Sequence, residues 1–139
     1  MKMQRRTWLR STLAAATAVS TATTTAVAQP ASAAKNPIVL YLDMQVDPAK
    51  EQEMIRNYHS IFRPTAMKHK GFIDVKILKL RTALLGKAPA HMNYRFQLTY
   101  ESEELRQKWI ASADHQMAWP TIENTLVTKD YTVLLCDAI

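Results

Sequence analysis

The chain reads Ile38-Val39-Leu40-Tyr41-Leu42-Asp43-Met44-Gln45-Val46 and continues into Asp47-Pro48. Every second side chain from Ile38 to Val46 is apolar, so one face of this segment is continuously hydrophobic. A period of two predicts a β-strand over residues 38–46. Asp47 is a favourable helix N-cap, and Pro48 suits the first helical turn, where a backbone N–H has no partner to lose. The segment therefore predicts a strand that runs directly into a helix.

The helix that follows is amphipathic. Its apolar face, at helical spacing, consists of Met54, Ile55, Tyr58, Ile61, Phe62 and Thr65. Pro64 is expected to kink or end this helix near Arg63, because proline lacks the backbone donor that an α-helix needs. Gly71 follows the basic residues 68–70 and is expected to adopt the left-handed conformation that terminates a helix.

Three further segments are rich in β-forming residues and predict strands over residues 72–81, 92–100 and 131–138. The alternation in the first of them slips around residues 77–78, which indicates a bulge or burial on both faces. Together with the helices, these segments predict the order β-α-β-β-α-β. Short loops and right-handed crossovers make this order a ferredoxin-like α+β sandwich.

The second predicted helix begins after residue 101. Ser102 is its expected N-cap, followed by two acidic residues in the first turn. Leu105 and Trp109 lie one turn apart on its buried side. Asp114 is a candidate cap for a short continuation of the helix, before Pro120 interrupts the pattern.

The sheet face away from the helices carries Tyr41, Asp43, Arg95 and Gln97. This face is amphipathic, and four short strands with exposed edges make a marginal monomer. Pairing two such sheets face to face would bury the amphipathic surface. We therefore expect a symmetric homodimer.

The N-terminal residues 1–33 have the organisation of an export signal. A basic segment, residues 1–10, precedes a weakly apolar run rich in Ala, Thr and Val at residues 11–28. Within the basic segment, Arg5-Arg6-Thr7-Trp8-Leu9 resembles the twin-arginine export signal. The alternatives are an ordinary secretory signal and a disordered basic tail.

Small residues at two places offer cleavage sites, after Ala33 or after Ala28. We expect the twin-arginine machinery to export the chain to the periplasm or beyond, leaving a mature domain at residues 34–139. The threonines in the apolar run argue against a stable membrane anchor, which needs about 20 mostly apolar residues.

Composition excludes several function classes. The chain has 18 basic and 12 acidic side chains, but four of the cations and none of the acids lie in residues 1–33. The remaining net charge of +2 is a poor basis for nucleic-acid binding. One cysteine, Cys136, excludes an intrachain disulfide and a multi-cysteine zinc cluster, and we expect it to be a buried small apolar residue. Two glycines exclude a dinucleotide fingerprint and a Walker loop.

Four motifs of the mature domain resemble the antibiotic biosynthesis monooxygenase-like group of dimeric α+β barrels. They lie at residues 46–50 (Val-Asp-Pro-Ala-Lys), 70–72 (Lys-Gly-Phe), 100–105 (Tyr-Glu-Ser-Glu-Glu-Leu) and 108–115 (Lys-Trp-Ile-Ala-Ser-Ala-Asp-His). The resemblance implies a cavity between sheet and helices that binds a polycyclic aromatic or quinone-like molecule. It also implies oxygenation of that molecule with no flavin, metal or other cofactor.

The same group contains haem-degrading members with an Asn–Trp–His set. Trp109 falls at the position of their Trp, but their His position falls at Trp119, and residues 38–46 contain no Asn. The sequence therefore argues against haem cleavage by that route.

Two histidines are candidate general bases. His59 lies at the border of the first helix's apolar face and His115 at a position that recurs in the resembling group. An imidazole can take a phenol proton near neutral pH. The alternatives are a partly exposed histidine at the core margin for His59 and a hydrogen bond that closes a helix turn for His115. No second ligand at suitable spacing supports a metal site.

Candidate substrate-binding residues are the aromatic side chains Tyr58, Phe62, Trp109 and Trp119 and the cation Arg95. The aromatic rings could stack on a ligand or simply form the core. Arg95, like Arg63, could hold an anionic group or pair with an acid such as Asp43 across a dimer interface.

Three functions follow from this sequence. The first is an exported, cofactor-independent monooxygenase-like enzyme acting on a phenol or quinol. The second is a non-catalytic binding module for haem or an aromatic metabolite. In the third, side chains fill the cavity and the domain acts by dimerising.

Overall fold

The computed structural model of the chain describes residues 36–139, and the predicted export signal at residues 1–33 lies outside the described residues. One four-stranded sheet has the order β2-β3-β1-β4. Its strands are β1 (Ile38–Met44), β2 (Phe72–Lys79), β3 (Tyr94–Tyr100) and β4 (Thr132–Asp137). All neighbouring strands are antiparallel. Helices connect β1 to β2 and β3 to β4, which confirms the predicted ferredoxin-like α+β fold.

The first connection contains a 3₁₀ turn (Pro48–Lys50), α1 (Glu51–Asn57), a π-helical turn (Tyr58–Phe62) and α2 (Arg63–Ala66). The prediction for Asp47 is confirmed, because its carboxylate accepts a hydrogen bond from the N–H of Ala49 at 2.9 Å.

The missing N–H of Pro64 predicts a helix end near Arg63, but the helix continues there into α2. The π turn changes the hydrogen-bond spacing just before it, and the N–H of Arg63 donates to the carbonyl of Tyr58 five residues earlier. Pro64 consequently falls in the first turn of α2, where no backbone donor is required.

The second connection contains α3 (Glu103–Ala111), α4 (Ala113–Ala118) and α5 (Pro120–Glu123). Ser102 caps α3 as predicted and accepts from the N–H of Leu105 at 3.2 Å. The predicted cap at Asp114 is wrong. Ser112 caps α4 instead, because its hydroxyl lies one turn before the N–H of His115 and accepts from it at 3.1 Å.

The predicted irregularity at residues 77–78 is also misplaced. Ile77 and Leu78 stay in register with β3, and Leu78 is exposed rather than buried on both faces. The register shift lies between Phe72 and Asp74. It directly follows Gly71, which has the predicted left-handed conformation with φ of +93°.

Apolar side chains on the helix-facing side of the sheet form the core with α1, the π turn and α3. This core includes Leu40, Leu42, Met44, Met54, Phe62, Phe96, Leu98 and Trp109. The opposite face pairs Asp43 with Arg95 and Tyr41 with Gln97, so the predicted amphipathic set shares one face. Within residues 36–139, no helix is both long and apolar enough to cross a bilayer.

All six residues of β4 are exposed, including Val133, Leu134 and Leu135. The expectation that Cys136 is buried is therefore wrong. Since β4 hydrogen-bonds only to β1, it forms an edge of the sheet, and its side chains lack the helix cover that the central strands have.

Candidate active site

A cavity of about 260 Å³ lies between the helix-facing side of the sheet and the helices α3 and α4. This volume is just below the range of about 300–1,000 Å³ that is usual for small-molecule sites, and it suits a compact ligand. The cavity is lined by Leu40, Leu42, Phe62, Val75, Phe96, Leu98, Arg106, Gln107, Trp109, Ile110, His115, Trp119, Tyr131 and Val133. Most of these side chains are apolar or aromatic.

The opening of the cavity follows from the exposure of β4. Val133 is paired with Leu42 of β1, so both side chains face the helix layer. Leu42 is buried, whereas Val133 is 49% exposed although it lines the cavity. The incomplete cover over β4 thus makes the space reachable from solvent.

Aromatic rings form one wall of the cavity. The ring of Phe62 lies 5.9 Å from that of Trp109 and 6.2 Å from that of Trp119, in both cases edge to face. Phe96 and Tyr131 contact Trp119 from two further directions, with centroid distances of 6.1 and 5.7 Å. Rings at these distances support one another. Phe62, Phe96 and Trp109 are buried, so the partly buried rings of Trp119 and Tyr131 are the ones with surface for a ligand.

His115 is the titratable imidazole that faces this cavity. Its ring meets the ring of Trp109 edge to face at 4.9 Å and lies nearly parallel to Trp119, with 14° between the planes. Burial lowers the pKa of His115, and electrostatic interactions with Arg106 and His69 lower it further. The imidazole is therefore neutral at neutral pH and can accept a proton.

A second histidine, His69, packs against Trp109. The His69 ring lies 4.7 Å from the Trp109 ring, and its Nε2 is 2.9 Å from Oδ2 of Asp114. Asp114 thus pairs with His69 and joins the end of the first helical connection to α4. This pair holds Trp109 in place, and neither of its members lines the cavity.

Carboxylates hold two polar side chains of the cavity, Arg106 through Glu103 on the same helix and Tyr131 through Glu123 on α5. The Arg106 guanidinium donates to Glu103 from Nε and Nη2, both at 2.7 Å. The Tyr131 hydroxyl donates to Glu123 at 2.6 Å. Arg106 lowers the pKa of Glu103 and Tyr131 lowers the pKa of Glu123 through these hydrogen bonds, so both carboxylates are charged.

The structure brings four of the sequence-predicted site residues together at the cavity: Phe62, Trp109, His115 and Trp119. Tyr58 lies nearby but belongs to the core, since it does not line the cavity and its hydroxyl donates to the carbonyl of Val75 at 2.8 Å.

The other two predicted site residues lie away from the cavity. His59 is exposed on the π turn, where its ring contacts the ring of Tyr58 at 4.9 Å. Arg95 is on the opposite sheet face, where its Nη2 donates to Asp43 at 2.9 Å and its guanidinium lies over the Tyr41 ring at 4.8 Å. The ion pair forms within one chain because the two residues are register partners on β1 and β3.

Sequence reasoning missed the cavity residues Arg106, Gln107, Tyr131 and Val133. Arg106 lies three residues before Trp109 on the same helix, and this spacing is a signal that could have found it. Tyr131 and Val133 come from the far end of the chain, so only the sheet topology brings them to the site. Among residues 36–139, no three His, Cys, Asp or Glu side chains converge in a way that could hold a metal ion.

Comparisons with known proteins give a fold and no closer assignment. No protein-family model and no curated protein matches the chain. Two similar solved structures are proteins whose names assign them to the antibiotic biosynthesis monooxygenases. The Caulobacter crescentus protein has a TM-score of 0.62 and 14% identity over 76% of this chain and 92% of its own. The Bordetella bronchiseptica protein has a TM-score of 0.62 and 16% identity over 76% of this chain and 99% of its own.

A third similar structure is a dimeric ferredoxin-like protein of unknown function from Jannaschia sp. CCS1. Its TM-score is 0.58 at 13% identity, over 74% of this chain and 98% of its own. Identities this low establish a shared fold, and the chemistry has to be argued from the site.

Proposed function

We propose that the domain binds a phenolic or quinol-type aromatic molecule in the cavity and oxygenates it with O₂, with His115 as general base. The observation that carries this proposal is the position of His115, a neutral imidazole between two tryptophan rings at an otherwise largely apolar cavity. A flat ligand against these rings would bring its hydroxyl within reach of that base.

The reaction needs no external reductant. His115 takes the proton of the ligand's hydroxyl, and the resulting electron-rich phenolate transfers electrons to O₂. For a phenol that becomes a quinone, one oxygen atom of O₂ enters the ring, two hydrogens leave the ligand, and the second oxygen atom departs as water. The protein contributes deprotonation, positioning and the exclusion of bulk water.

The names of the Caulobacter crescentus and Bordetella bronchiseptica proteins support this reaction class, since proteins of the same fold are named after antibiotic biosynthesis monooxygenases. Homodimer formation is part of the proposal. It is supported by Leu134, which is exposed beside Tyr41 on the outer sheet face, and by the dimeric state that the Jannaschia protein's name records. Export of the chain by the twin-arginine route also belongs to the proposal and depends on residues 1–33.

The test uses 1,5-dihydroxynaphthalene, whose conversion to the hydroxyquinone consumes one O₂ and releases one water. Binding is followed by quenching of tryptophan fluorescence, and turnover by an oxygen electrode together with the visible absorbance of the quinone. Wild-type protein is expected to quench and to turn over, whereas His115→Gln is expected to keep binding and to lose about 10²-fold or more in rate.

His59→Gln is the matched control, because it makes the same chemical change at an exposed imidazole outside the cavity. It should retain wild-type turnover. Equal rates in His115→Gln and wild type would contradict the assigned base. Quenching without any oxygen consumption would favour the binding module over the enzyme.

Native mass spectrometry of protein from its own host tests the dimer and the processed N-terminus.

A further inference from the structure

Arg106 places a guanidinium at the wall of the cavity. It is the one Lys, Arg, Asp or Glu among the described residues that line the cavity, and its side chain is 16% exposed. A guanidinium in such apolar surroundings attracts a negatively charged oxygen far more strongly than one in water does.

The guanidinium is also held in a fixed orientation. Glu103, one turn earlier on α3, accepts from Nε and Nη2 of Arg106, and its Oε1 also accepts from Gln107 at 2.8 Å. A guanidinium has five N–H donors, and within residues 36–139 only two of them are used, both by Glu103. The Nη1 end therefore keeps two donors for another acceptor.

We propose that Arg106 binds a carboxylate on the ligand, so that the substrate class is a hydroxylated aromatic carboxylic acid. This inference rests on the proposed function. The hydroxyl would meet His115 on α4, the carboxylate would meet Nη1 of Arg106 on α3, and the ring would lie against the aromatic wall of the cavity. Arg106 is then a specificity-determining residue, and Glu103 partly compensates its charge.

The test compares two probes of similar size, 2-naphthol and 6-hydroxy-2-naphthoate. Dissociation constants are measured by tryptophan fluorescence quenching at pH 7.5 and low ionic strength. Wild-type protein is expected to bind the carboxylate probe about tenfold more tightly than 2-naphthol, the size of effect that one charge-assisted hydrogen bond supplies.

Two variants separate ligand binding from a structural role. Arg106→Gln removes the cation and should bring the dissociation constants of the two probes to about the same value. Glu103→Gln removes the compensating charge but keeps Arg106, and it should increase the preference. If Arg106 served only as the partner of Glu103, both variants would weaken both probes alike.

The two proposals fail in different ways. If wild-type protein binds neither probe, the proposed function fails and this inference fails with it. If 2-naphthol binds and 6-hydroxy-2-naphthoate binds no more tightly, only the inference about Arg106 is overturned. Should Arg106→Gln not fold, the wild-type preference and its increase in Glu103→Gln decide the question.

Discussion

Replacing Gly71 by alanine is expected to destabilise the domain and to disturb its binding cavity. Gly71 has φ of +93°, a conformation in which a side chain costs about 1–2 kcal/mol. A Cβ atom at this position would lie 2.6 Å from the Cβ of Leu105, closer than packed carbon atoms come. Forcing an additional group into a filled site costs about 1–3 kcal/mol. The two terms together give a loss of about 2–5 kcal/mol, reduced by about 0.4–1 kcal/mol because alanine also restricts the unfolded chain.

Gly86→Ala is the matched control. Gly86 has φ of +75°, and nothing lies within 4 Å of a Cβ built on it. Gly86→Ala has the same cost of a side chain at positive φ and the same restriction of the unfolded chain as Gly71→Ala, but no steric contact. The difference between the two variants in urea-induced unfolding should therefore be about 1–3 kcal/mol, the cost of the contact alone.

The same substitution should also affect ligand binding. Leu105 directly precedes Arg106 on α3, so a displaced Leu105 moves the helix that carries Arg106 and Trp109 to the cavity. Gly71→Ala is expected to weaken the fluorescence quenching by naphthols, and Gly86→Ala is not. Equal stabilities of the two variants would refute the reasoning, because the contact with Leu105 would then carry no energy.

Two further predictions concern buried hydroxyl groups and pH. Tyr100→Phe should raise the free energy of unfolding by about 1 kcal/mol, because the buried Tyr100 hydroxyl has no hydrogen-bond partner among the described residues. Tyr58→Phe should lower it by about 1 kcal/mol, because it removes the bond to the carbonyl of Val75. If urea titrations show that Tyr100→Phe and Tyr58→Phe lower the free energy of unfolding equally, the Tyr100 hydroxyl has a hydrogen-bond partner and the first prediction is wrong. His115 should make stability depend on pH: its folded pKa lies below the ordinary value of 6.5, so the unfolded chain takes up the proton first as the pH falls. Its contribution is complete above about pH 6.5 and decreases below that pH until the folded-state pKa is passed. Between pH 7.5 and pH 5, the free energy of unfolding should fall more steeply for wild type than for His115→Gln. Identical pH dependences would show that His115 is not desolvated.

The order of the elements could be predicted because each one carries a local signal. Alternation over residues 38–46 and 92–100 predicts strands, and Asp47, Ser102 and Gly71 mark helix ends through bonds or conformations that involve only their immediate neighbours. The predicted element bounds were wrong where a side chain distant in sequence forms the hydrogen bonds that a local backbone partner was expected to form. The strand prediction extended to Val46, whereas β1 ends at Met44. The side-chain amide of Asn93 hydrogen-bonds both the N–H and the carbonyl of Val46.

The candidate site was predicted in part for the same reason. Helical periodicity assigned Phe62 and Trp109 to buried sides, whereas His115 was predicted from its position in the resembling group and Trp119 as an aromatic side chain that could stack on a ligand. His59 lies on the border of its helix, where a small rotation decides between cavity and solvent, and the π turn places it in solvent. Arg95 could be assigned to the outer sheet face but not to its partner, because pairing with Asp43 depends on the register of two strands.

The sequence alone determined the order of strands and helices in this domain, the helix ends at Asp47, Ser102 and Gly71, and the apolar side of its first helix, because backbone propensity and residue period act over a few neighbouring residues. Only the tertiary structure decided that β4 is an uncovered edge, that Tyr131 and Val133 meet Arg106 and His115 around one cavity, and that burial among tryptophan rings lowers the pKa of His115. These properties depend on which distant segments pack together and how much water they exclude. Neither quantity is encoded in any single stretch of the chain.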